Sequence, residues 1–130
     1  DEAQLQKLRD CVNKAQELIR QAMDVEPDSV KNAKSADLKS MTDEQLAQLG
    51  GVVKIFESAR SYRASAAIQA SRLAEMEGRT VDKDKLRVDA DTYRKDYTDL
   101  GEVSRAIQNE MDSRKAAAEA NANANANASK

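Results

Sequence analysis

Histidine and tryptophan are absent from this chain, and it holds one cysteine, one proline and four glycines. Without histidine it lacks the side chain that most often serves as general base or metal ligand near neutral pH. A lone Cys11 can form neither an intrachain disulfide nor a thiolate zinc site. It reads as a small half-buried residue of the first helix, with an intermolecular disulfide as the sharper alternative. Aromatic residues make up 3% of the chain, so a core must be built from Leu, Val, Ile, Met and Ala, which suits a narrow bundle. No apolar run approaches the ~20 residues that cross a bilayer. No stretch reads as a strand, so no glycine-rich phosphate loop can follow one.

Two acidic patterns also fall short of a metal site. Asp82-Lys83-Asp84 has the opening of a calcium loop but lacks its turn glycine and a closing glutamate at the required spacing. Asp89, Asp96 and Asp99 would need Glu-x-x-His partners to form a di-iron site in a bundle; they read as a solvated helix face. These absences predict a protein that is not an enzyme and takes no cofactor or metal. The charge is nearly balanced, 21 basic against 23 acidic residues for a net of −2. That gives no single-sign field of the kind a nucleic-acid binder carries.

What is present is helical periodicity. Leu5, Leu8, Val12, Ala15, Ile19 and Ala22 follow one another at steps of three and four. So do Val52, Ile55, Ala59, Tyr62, Ala66, Gln69, Leu73 and Met76, and again Leu86, Ala90, Tyr93, Tyr97, Leu100, Ser104, Ile107 and Met111. Alternating threes and fours average 3.5 residues, which keeps one face of a helix turned toward a neighbour. The spacing predicts helices near residues 2–26, 43–77 and 82–117. Pro27 ends the first, because the residue before proline is pushed out of the α region. The polar segment 28–39 reads as a short helical turn plus a loop. Thr42-Asp-Glu-Gln45 is a capping box at the start of the second helix, and Gly78 stands where a helix-ending glycine belongs. Gly50-Gly51 costs about 2 kcal/mol against alanine, yet helix length favours a continuous or kinked second helix with a neighbour close at the glycines.

The short connection between the second and third helices makes them antiparallel neighbours. The fold expected is all-α: an elongated antiparallel three-helix bundle, coiled-coil-like, forming one domain over residues 1–119. A helical hairpin that oligomerises through the same stripes is the rival. Residues 120–130, dominated by Asn-Ala repeats, read as a low-complexity disordered tail.

One stretch stands out as a binding candidate. From Ser58 to Ala74, ten of 17 residues are Ala or Ser, and Arg60, Arg63 and Arg72 occur with no acid. Small residues let helix backbones approach closely. The plainer reading is tight packing on the other two helices, with the arginines in solvent or paired. The functional reading is a shallow groove rimmed by Arg60, Arg63 and Arg72 that receives a partner helix or an acidic segment.

Met41-Thr-Asp-Glu-Gln45 resembles the Leu-Thr-x-x-Gln signature of the small periplasmic stress chaperones of the Spy and CpxP kind, which are helical and of similar size. The likeness covers five residues, occurs once, and has Met in place of leucine. It implies a helical, chaperone-like role in a bacterial envelope.

The expected function is therefore a non-enzymatic helical protein–protein interaction module: an assembly, adaptor or chaperone-like unit, in an envelope or secretion setting. Two alternatives stand beside it: a self-assembling coiled-coil subunit of a scaffold or filament, and an inhibitor or exclusion factor that binds one target. The partner expected is a protein or a second copy, not a small-molecule substrate or a nucleic acid. The chain opens on Asp1 without a methionine, which leaves a processed, excised or trimmed terminus open. A periplasmic or secreted setting is favoured slightly over the cytoplasm.

Overall fold

A computed structural model describes residues 1–129. Its elements are α1 (Glu2–Asp24), α2 (Asp28–Lys31), two 3₁₀ turns (Ala33–Ser35 and Leu38–Ser40), α3 (Asp43–Met76) and α4 (Thr80–Ala128). The architecture is all-α, an elongated antiparallel bundle in which α3 and α4 form a long hairpin and α1 lies against it. At a rise of about 1.5 Å per residue α3 is about 51 Å long.

Local chemistry sets the helix ends. Asp1 caps α1 by accepting from the Ala3 amide at 2.9 Å. The box at α3 is complete: the Gln45 amide donates to the Thr42 hydroxyl at 3.1 Å, and the Thr42 amide to Gln45 Oε1 at 2.9 Å. At its far end Gly78 has φ +72°. That left-handed residue lets the Gly78 amide reach the Glu75 carbonyl and the Arg79 amide the Ala74 carbonyl, the pairing that satisfies the last orphan carbonyls. α3 runs unbroken through Gly50 and Gly51. A Cβ at Gly50 would stand 3.2 Å from Ile107 Cγ2, whereas one at Gly51 would meet nothing within 4 Å. The first glycine therefore permits the close approach of α4.

The ion pairs Arg9–Glu77 and Arg60–Glu26 show that α1 runs antiparallel to α3. It covers only the half of the hairpin that contains the α3–α4 turn. There Val12 packs on Ala70 and Leu73, with Leu5 and Leu86 at the edge. The other half is covered by the connector between α1 and α3. Val30 and Ala33 join Leu46, Leu49, Val53, Leu100, Val103 and Ile107 in the larger core cluster. The third layer of the bundle is thus a helix at one end and a folded connector at the other.

Two expectations are corrected. In α3 the buried line is Leu46, Leu49, Val53, Ala67, Ala70 and Ala74, while Ile55, Tyr62 and Met76 are exposed. The observed line, extended at the same steps, passes through Arg60 and Arg63. Following apolar residues alone shifts the stripe by one position, away from two arginines that belong to it. Second, α4 does not end near 117 with a disordered tail beyond; the helix continues through the Asn-Ala repeats to Ala128. Every residue from Lys115 to Ser129 is exposed. Alanine's helix propensity, rather than burial, supports this extension. Lys130 lies outside the described residues.

Candidate functional site

The ten arginines divide into those engaged within the chain and those left free. Arg60 and Glu26 form a nearly buried pair, 2.8 Å apart, with side chains 14% and 6% exposed. Arg60 also donates to the Asp96 carbonyl at 3.0 Å, so one guanidinium ties the end of α1 to α3 and α4. Arg63 pairs with the Asp96 carboxylate at 3.0 Å and lies over the Tyr93 ring, 4.1 Å from its centroid, a favourable cation–π geometry. Its Nε is the one buried side-chain nitrogen or oxygen among the described residues without a hydrogen-bond partner.

Arg114 clamps the connector. It donates to the carbonyls of Leu38, Lys39 and Met41 and pairs with Asp43 and Glu110. Those carboxylates raise its pKa, Asp43 contributing most. Arg9 reaches from α1 to Glu77. Arg79 and Arg9 together hold the Glu77 carboxyl below its ordinary value. Arg20 pairs locally with Glu17 and Asp24, and Arg79 with Glu77 and Asp82.

Arg72, Arg87, Arg94 and Arg105 have no ion pair among the described residues. All four are exposed, and all four line one face: the groove between α3 and α4 on the side away from α1 and the connector. At the end near the α3–α4 turn, Arg72, Arg87 and Arg94 surround a hollow of about 420 Å³ floored by Ile68, Ser71 and Ala90. Farther along, Arg105 and Lys54 flank a hollow of about 490 Å³ that includes Glu57, Gly101 and Ser104. Tyr62 and Tyr97 stand over the stretch between, with Ser58 and Ser61. No residue of α1 or the connector lines any of these three hollows.

The structure separates the three arginines singled out in the sequence. Arg60 and Arg63 sit in the interior packing and are engaged there, while Arg72 stands on the open face. The sequence does not single out Arg87, Arg94 and Arg105, because α4 mixes acids and bases evenly and pairing is not readable from a sequence. The signal that was present is their spacing of two and then three helical turns along α4.

No helix among the described residues is long and apolar enough to cross a membrane. No group of three or more His, Cys, Asp or Glu side chains among them gathers as a metal ligand set. Comparison with protein-family models, curated proteins and solved structures finds no match.

Proposed function

We propose that this chain is a non-enzymatic protein–protein interaction module whose open α3–α4 face receives a protein partner. The observation that supports this reading is the division of the arginines. In a chain with more acids than bases, six of ten guanidiniums find carboxylates of their own. The four without a carboxylate partner among the described residues share one face. Arginine and tyrosine are the residues enriched at the energetic centres of protein interfaces, and Tyr62 and Tyr97 stand on the same side. An adaptor, a chaperone-like holder and a single-target inhibitor would each use such a face.

Site-directed photo-crosslinking tests it. A photoreactive side chain at Ser61 or Thr98, in the groove, is compared with one at Lys14, an exposed residue of α1, in cells that express the chain. The expected result is one discrete protein adduct from both groove positions and none from Lys14. Adducts of equal yield and variety from all three positions would contradict the reading. An adduct of twice the chain mass, accompanied by a solution mass that rises with concentration, would replace the partner with a second copy and favour the self-assembling subunit.

A further inference from the structure

The open face carries a more specific inference, which rests on the interaction reading above. We infer that its occupant is an acidic amphipathic helix of another protein, lying along α4 and completing a four-helix cross-section. The α3–α4 hairpin already has a third layer on one side. The opposite side is a trough between two antiparallel helices, the shape that takes the ridge of a further helix. From Arg87 to Arg105 the row of free guanidiniums runs about 27 Å along α4. That length matches five turns of helix and exceeds what one bound anion or a short loop would use.

Charge selects the occupant. Arg72, Arg87 and Arg94 ring one hollow against a single acid, Asp91. Lys54 and Arg105 outnumber Glu57 in the other. A helix whose glutamates or aspartates recur two and then three turns apart would set a carboxylate against Arg87, Arg94 and Arg105 in turn. Arg72, across the groove from Arg87, would meet the same end. Between those acids the occupant's backbone can come close, because Ser71, Ala90, Gly101 and Ser104 along the groove are small. Asp91 and Glu57 within the groove disfavour a continuous phosphate backbone, which would meet both at every register.

The test uses the full chain and a synthetic Ala-rich helical peptide of roughly 20 residues with glutamates in that spacing. A scrambled peptide of the same composition, a peptide with lysines in place of the glutamates, and a short DNA duplex complete the set. Binding is followed by NMR at moderate salt against the native chain and an Arg87→Glu, Arg94→Glu variant. Both residues are exposed, so the variant keeps its fold, checked by an unchanged urea midpoint. The patterned peptide should shift resonances along 87–105, bind at least about tenfold better than the scrambled one, and lose about tenfold on the variant. The lysine peptide should bind the variant better than the native chain, and all these differences should shrink with added salt. Equal binding of patterned and scrambled peptides, or no binding of either, overturns the helical occupant while leaving the crosslinking result intact. A duplex that binds the open face more tightly than the patterned peptide overturns the protein-partner reading as well.

Discussion

The two sides of the α3–α4 hairpin put arginine to opposite uses. On the covered side Arg60, Arg63 and Arg114 are drawn into the fold, each holding a carboxylate and two of them holding backbone carbonyls. On the open side Arg72, Arg87, Arg94 and Arg105 hold nothing among the described residues. For these seven arginines, burial goes with the first role and exposure with the second. A charge removed from water must be compensated or it destabilises the fold, whereas an exposed one stays solvated at little cost. A covered arginine is therefore part of the architecture. An exposed row on one face has no such role, which is why the partner proposed above is assigned to it.

The contrast can be broken most severely at Glu26. Glu26→Ala leaves Arg60 nearly buried without its carboxylate, and a loss of about 3–5 kcal/mol is expected from urea unfolding. Arg114→Ala should come next. It frees three connector carbonyls at the end where Val30 and Ala33 complete the core, and about 1–3 kcal/mol should be lost. Amide exchange in segment 28–41 should rise in that variant more than exchange in α1.

Two further tests are gentler. Gly51→Ala should stabilise by about 0.8–1 kcal/mol, the propensity difference alone, since its Cβ meets nothing. Gly50→Ala should gain less or lose, because Ile107 stands 3.2 Å away in a close-packed interior. Thermal melts of the pair measure how tight that approach is. The mildest effect is pH dependence at Glu77. Its carboxyl is held below its ordinary value by Arg79 and Arg9, so its contribution is fully present above the ordinary glutamate range. It is lost as pH falls through the lowered value. Protection of the first two turns of α1, where Arg9 sits, measured against the intrinsic exchange rate at each pH, should fall below that range while residues 46–53 keep theirs.

Much of this fold was legible. Pro27, the Thr42–Gln45 box and Gly78 mark the helix ends, and each acts through local backbone chemistry that sequence displays. The stripe on the third helix holds at Leu86, Ala90, Leu100 and Ile107, which are apolar where they must be, and fails at Tyr97, which is exposed on the open face. The stripe on the second helix slipped by one residue because Arg60 and Arg63 occupy interior positions, and periodicity counts only apolar residues. Their partners lie 33 and 34 residues away in sequence, and no local pattern announces a pair at that range. Arg72 was legible as a candidate. Its companions on α4 required knowing which acids the other arginines had already taken. The five residues that resemble a chaperone signature act here as a helix cap. The Asn-Ala repeats looked unfit for ordered structure because they lack an apolar face; the helix they form has none either, and stays exposed throughout.

The most direct measurement is urea unfolding of Arg60→Ala beside the Arg87→Ala, Arg94→Ala double variant, in one buffer with equal slopes required. The account predicts a loss of several kcal/mol for the single covered-side change, about 3–5, and a change within about 0.5 kcal/mol for the double open-face change. A double variant that loses as much as Arg60→Ala would show that the open-face arginines belong to the fold, and would contradict the reading of that face as free for a partner.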